Sequence, residues 1–133
     1  MNPSIPSPQV ISDVQFGRLA PTVAVSDLDV SLAFYCDVLG FDKVFENGSP
    51  VGFVILKRGA AELHLTRNAQ HKATTQNVAH LLVSDAAALY AHLEAHQVRI
   101  VKGIRDANFG LRCFVFADPD GNRIDVGEAL IKT

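Results

Sequence analysis

Glu62, His64, His80 and Asp125 are the side chains of this chain best suited to chemistry. Carboxylates and imidazoles exchange protons in aqueous solution and ligate divalent cations, so a cluster of them could serve acid–base or metal chemistry. In Glu62-Leu63-His64-Leu65-Thr66 the polar residues alternate with leucines, which puts Glu62 and His64 on one face of a strand. His80 stands among Val78, Leu81, Leu82 and Val83, and Asp125 lies between Ile124 and Val126. Alternation alone would turn Glu62, His64 and Asp125 toward water and leave His80 a hydrogen-bonded structural residue. The competing reading is that all four line a site. His92 and His96 have i, i+4 spacing but flank the Leu89/Leu93 stripe, as residues on the solvated side of a helix do. Cys36 and Cys113 form no CxxC pair and have no cationic neighbours in sequence, so they read as packing residues.

The elements that must hold these residues are written twice. Val-Ser-Asp occurs at residues 25–27 and again at 83–85, each time where an alternating run gives way to a helical one. In the first half Pro21 to Val25 suits a strand. Leu28, Leu32, Phe34, Tyr35, Val38 and Leu39 then form an apolar helical stripe ended by Gly40, and Ser26 with Asp29 has the spacing of a capping box. Strands follow over Phe41–Glu46, Val51–Lys57 and Glu62–Thr66, divided by Asn47-Gly48-Ser49-Pro50 and Arg58-Gly59. The second half repeats the order, with a strand at Val78–Val83, a helix from Asp85 to His96, and strands at Arg99–Val101, Arg112–Ala117 and Asn122–Gly127. Asp118-Pro119-Asp120-Gly121-Asn122 reads as a tight turn.

The predicted fold is α+β: two βαβββ modules, over about 18–67 and 78–128, joined by a polar linker within a single domain of residues 18–133. Residues 1–17, with Pro3, Pro6 and Pro8, read as a flexible arm. One helix per module can cover only one sheet face, with the helices outside, so the other faces should form a concave cup lined by every second strand residue.

Composition narrows the function. A net charge of -2 with scattered lysines and arginines offers no basic field for nucleic acid. No run approaches the roughly 20 apolar residues that span a bilayer. Two cysteines outside any disulfide framework suit a reducing cytoplasm.

Val25-Ser26-Asp27-Leu28-Asp29, Phe34-Tyr35 with Leu39-Gly40-Phe41, Glu62-Leu63-His64-Leu65 and Asp118-Pro119-Asp120-Gly121-Asn122 together resemble the vicinal oxygen chelate superfamily, which includes glyoxalase I, bleomycin resistance proteins and extradiol dioxygenases. The resemblance covers about Leu19 to Gly127. In metal-dependent members it implies four ligands, one from the first and one from the last strand of each module. Here those positions fall on Ala20, Glu62, Val78 and Asp125, and alanine and valine cannot ligate. A displaced set of Glu62, His64, His80 and Asp125 is the alternative, and it would hold one divalent metal ion for lyase, isomerase or dioxygenase chemistry of the glyoxalase type. A metal-free enzyme with Glu62 or His80 as general base is a third reading. The resemblance is nearest to metal-free members similar to bleomycin resistance proteins, which implies no cofactor and a homodimer that binds a bulky small molecule in a groove between subunits. Asn108-Phe109-Gly110-Leu111-Arg112 looks like the aromatic-glycine-x-arginine stretch of those proteins. The expected ligand-binding residues are therefore Glu62, His64, His80, Phe109, Arg112, Phe114 and Asp125. Which face of the Arg112–Ala117 strand is concave stays open.

Overall fold

A computed structural model describes residues 12–130. Most of the arm expected over residues 1–17 thus lies outside the described residues. The first module runs β1 (Thr22–Val25), α1 (Leu28–Leu32, continuing as a π-helical segment Ala33–Val38), β2 (Asp42–Gly48), β3 (Val51–Arg58) and β4 (Ala61–Arg67). The second runs β5 (Asn77–Leu82), α2 (Ala86–Ala95), β6 (Ile100–Ala107), β7 (Leu111–Ala117) and β8 (Arg123–Ala129). Each module is a four-stranded sheet, ordered β1-β4-β3-β2 and β5-β8-β7-β6, and in each the first strand pairs parallel to the last. The α+β fold of two βαβββ modules is as the sequence predicts. No helix among the described residues is long and apolar enough to cross a membrane.

The repeated Val-Ser-Asp has a local cause. Asp27 and Asp85 are extended residues whose carboxylates accept from the backbone N–H of Val30 (3.2 Å) and Ala88 (3.0 Å), so the aspartate of each copy is the N-cap. This corrects the expected capping box on Ser26, whose backbone and hydroxyl are bound to Asp120 instead. The helix of the first module then widens. The N–H of Leu39 bonds the carbonyl of Phe34 at 3.1 Å, a π-type step that rotates Phe34 and Tyr35, adjacent in sequence, both into the core. Gly40 ends this helix at φ +76°, its Cα side covered by Arg58, which donates to the carbonyl of Leu39 at 2.6 Å.

One core serves both modules. Val54, Leu56, Leu63 and Leu65 of the first sheet and Phe114, Phe116, Ile124 and Val126 of the second belong to the same buried cluster, with Phe34 against Phe116 at 6.1 Å. The halves are also clasped by polar groups at the turn between β7 and β8. The buried Tyr35 hydroxyl donates to Asp118 Oδ2 at 2.8 Å, and Asn122 Nδ2 donates to the carbonyl of Ala24 at 2.9 Å. The second Asp118 oxygen accepts from the backbone N–H groups of Asp120 and Asn122, both at 2.9 Å. Burial, then the Asp118 charge, raises the Tyr35 pKa well above the usual phenol value, so the hydroxyl keeps its proton and remains a donor. Thus the Asp-Pro-Asp-Gly-Asn segment is a turn, as its residues predict, and also the joint between the modules.

Candidate functional site

Strand alternation sorts the candidates onto two faces. Leu63 and Leu65 of β4, and Ile124 and Val126 of β8, point into the core, which leaves Glu62, His64 and Asp125 on the opposite, helix-free face. His80, flanked by the more buried Ala79 and Leu81, points the same way from β5. The result is two separate imidazole–carboxylate pairs, one per module. His64 Nε2 meets Glu62 Oε2 at 2.7 Å, and His80 Nδ1 meets Asp125 Oδ2 at 2.5 Å.

Glu62 is saturated by cations and donors. Arg18 bonds one of its oxygens, Lys57 Nζ lies 3.5 Å from that oxygen, and His64 takes the other. The hydrogen bonds from His64 and Arg18 bring its pKa down to about 2. The His64 ring also stands edge-on to Phe53, 5.5 Å between centroids, and Phe53 to Phe45 at 6.3 Å, which makes the open face of the first sheet aromatic. In the second module the His80 ring rests over Gly127: a Cβ added there would lie 3.1 Å from His80 Cε1. With Nδ1–H donating to Asp125, a neutral His80 presents Nε2 outward as an acceptor.

These groups border two recesses. A cavity of about 210 Å³ at the junction of the modules has both Glu62 and His80 in its wall, over apolar residues that include Tyr35, Leu81 and Phe116. A cup of about 160 Å³ on the open face of the second sheet holds His80 and Asp125 with Lys102, Arg105, Phe109 and Cys113. Phe109 is 67% exposed.

Arg112 and Phe114 point to the other side of β7. The Phe114 ring is fully buried beneath α2, 5.0 Å from that of Tyr90, because Cys113 and Val115 take the open face of β7. Arg112 shares the helix side, pairs with Asp106 at 2.7 Å and feels the charges of Glu128 and Asp85 near the start of α2. The direction of the strand thus turns both side chains to the helix side, although Phe114 still belongs to the lining of the cup. Residues that the sequence reading passed over join the open faces. Phe53 was accessible to it, since Phe53, Ile55 and Lys57 alternate with Val54 and Leu56. Lys102 and Arg105 were not: three apart, they should lie on opposite faces of a regular strand. Two register shifts in β6 set Lys102 opposite Val115 and Arg105 opposite Cys113, both on the open face.

A transition-metal ion needs three or more donors converging at about 2.0–2.3 Å. Among the described residues no group of three His, Cys, Asp or Glu is placed to hold one. Ala20 and Val78 offer no donor, and the two imidazole–carboxylate pairs do not come together as one group. The residues present do not fit the four-ligand set.

The paired modules, each with an open sheet face, are matched over residues 15–126 by the model described as Glyoxalase/Bleomycin resistance protein/Dioxygenase superfamily. The chain belongs to this superfamily. Among solved structures, a member of the same superfamily from Sphaerobacter thermophilus DSM 20745 is 27% identical, with a TM-score of 0.72 over 82% of this chain and 94% of that one. The bleomycin-binding protein of bleomycin-producing Streptomyces verticillus, in complex with copper(II)-bleomycin, is 26% identical, with a TM-score of 0.70 over 87% and 98%. A lactoylglutathione lyase from Agrobacterium tumefaciens is 25% identical, with a TM-score of 0.67 over 84% and 92%. Superfamily relatives thus include both a ligand-binding protein and a lyase. No curated protein is similar enough to this chain to register as a match.

Proposed function

We propose that this superfamily member is a homodimer that binds a bulky small molecule, without a metal ion, in a groove built from the open sheet faces of two subunits. The observation that carries this reading is the state of those faces in one chain. The buried apolar cluster sits on the helix side, while Phe45, Leu82 and Phe109 are at least half exposed on strands and a turn that border the open side. The cup alone measures about 160 Å³, short of the roughly 300–1,000 Å³ of a pocket that buries a drug-sized ligand. A second copy laid across it supplies the missing wall and covers the exposed apolar groups. The bleomycin-binding relative supports the ligand class in its general form. The donor set supports the absence of a metal, because no third His, Cys, Asp or Glu converges with either imidazole–carboxylate pair among the described residues.

The test combines light scattering with metal analysis of untagged protein and a thermal-shift series in nickel, zinc, manganese and iron(II). A dimeric mass, sub-stoichiometric metal and no stabilisation by any ion are expected. Stoichiometric metal that is lost on Glu62→Ala or Asp125→Ala would replace this reading with lyase, isomerase or dioxygenase chemistry at a site using those two carboxylates.

A further inference from the structure

We infer that the cup of the second module selects an anion, and that the ligand class is a planar aromatic carboxylate. This rests on the groove reading above and names what the groove holds. Lys102 and Arg105 both line the cup. Neither has an ion-pair partner among the described residues, and both converge on one recess that also holds His80. With His80 neutral, the ionised groups of the cup are Lys102 (+1), Arg105 (+1) and Asp125 (-1), a sum of +1 in a chain whose net charge is -2. One oxygen of Asp125 is taken up by the Nδ1–H of His80, 2.5 Å from Oδ2.

The placement of the two cations takes specific backbone work. Ile100 stands opposite Phe116 on the core side of the ladder, and continuing that register would set Lys102 opposite Phe114, also in the core. The shift between Ile100 and Lys102 moves Lys102 to the open face. The second shift, between Lys102 and Arg105, keeps Arg105 there too, where an unbroken strand would turn it toward α2. Each shift disturbs ladder pairing, and together they put two cations side by side on the face that carries His80.

The rest of the lining suits a flat carbon skeleton. Leu111 and Val115 give an apolar floor, and Phe109 stands exposed at the edge, able to stack. A carboxylate between Lys102 and Arg105 would satisfy both charges, with the guanidinium able to bind it bidentately. The outward Nε2 of His80 would accept from a hydroxyl on the same ring.

The test is calorimetric titration of the full chain with naphthoate and, separately, with naphthamide, its uncharged isostere, at low ionic strength. Naphthoate should bind at least about tenfold more tightly, and the double substitution Lys102→Gln/Arg105→Gln should erase that preference while Lys72→Gln in the linker retains it. Both cup side chains are exposed, so circular dichroism and the melting temperature of the double variant should match the parent. Equal affinity for the two probes, or a preference that survives the double substitution, overturns the anion class and leaves the groove standing. Binding of neither probe overturns the anion class and the groove together.

Discussion

Removing one oxygen from the joint between the modules gives the most direct test of how this fold is held. In Tyr35→Phe the ring stays in a site with no solvent exposure, and only the donor to Asp118 Oδ2 is lost. Asp118 is itself 5% exposed. Its Oδ2 retains the Asn122 Nδ2 donor at 2.9 Å and its Oδ1 retains two backbone donors, so the carboxylate is weakened rather than orphaned. A hydrogen bond to a charged acceptor contributes about 1.5–3 kcal/mol, and the surviving partners place this loss toward the lower end, about 2 kcal/mol. For a chain of 133 residues the unfolding entropy is on the order of 0.28 kcal/mol/K, so the melting temperature should fall by about 7 °C. Urea denaturation followed by far-UV circular dichroism would give the free energy, at a protein concentration held equal for both proteins. In a double-mutant cycle with Asp118→Asn, the two changes should be strongly non-additive, because they cut the same bond. A Tyr35→Phe protein within about 0.5 kcal/mol of the parent would refute the idea that this bond joins the halves.

Acid should act through Glu62. Its folded pKa of about 2 lies below the ordinary 4.5, so its contribution is present above pH 4.5 and disappears as the pH falls toward 2. The melting temperature of Glu62→Gln, measured across that window, should decline less steeply than that of the parent; parallel curves would contradict the assignment. Gly127→Ala introduces a Cβ 3.1 Å from His80 Cε1, and the half-exposed ring can yield, so unfolding by urea should shift by no more than about 0.5 kcal/mol. The same displacement should loosen the His80–Asp125 bond and weaken several-fold the binding of a hydroxynaphthoate, whose ring hydroxyl meets His80, which calorimetry would detect.

How far the chain could be read from its letters depended on whether local pattern and tertiary placement agreed. The facing of β4 was legible, since Glu62, His64 and Thr66 alternate with Leu63 and Leu65 and the leucines face the core, although the strand runs one residue further at each end. The repeated Val-Ser-Asp was legible as a helix start, but the cap in the first copy is Asp27 and not Ser26, whose partner Asp120 lies far along the chain. β6 was read as ending at Val101 but extends to Ala107. Lys102, Gly103, Arg105 and Asp106 carry none of the β-branched alternation that marks a strand, and the register shifts scramble the period that remains. β7 failed differently. Its alternation was visible, but Phe114 and Phe116 on one face and Cys113 and Val115 on the other are both apolar enough to be buried, so the core side was decided by Tyr90 and Phe34. His92 is exposed on its helix, as its place beside the leucine stripe predicts, and its ring Nε2 also donates to the carbonyl of Val38 across 2.7 Å, a contact its spacing could not show.

The turn between β7 and β8 separates two jobs that chain connectivity usually blurs. Ala24, Ser26 and Tyr35 of the first module all find their partners within five consecutive residues of the second. Recognition between the halves is therefore encoded as a compact epitope, with the shared apolar core behind it. The tether over residues 68–76 keeps the halves in proximity and is itself anchored, by His71 on Asn122, by Arg123 on the carbonyl of Thr75 and by the N–H of Asn68 on the carbonyl of Val25. The first module has no counterpart of that epitope, because its equivalent hairpin turns through Arg58-Gly59-Ala60. Two halves of common design have thus become lock and key: each can be matched by the other, and neither by a second copy of itself.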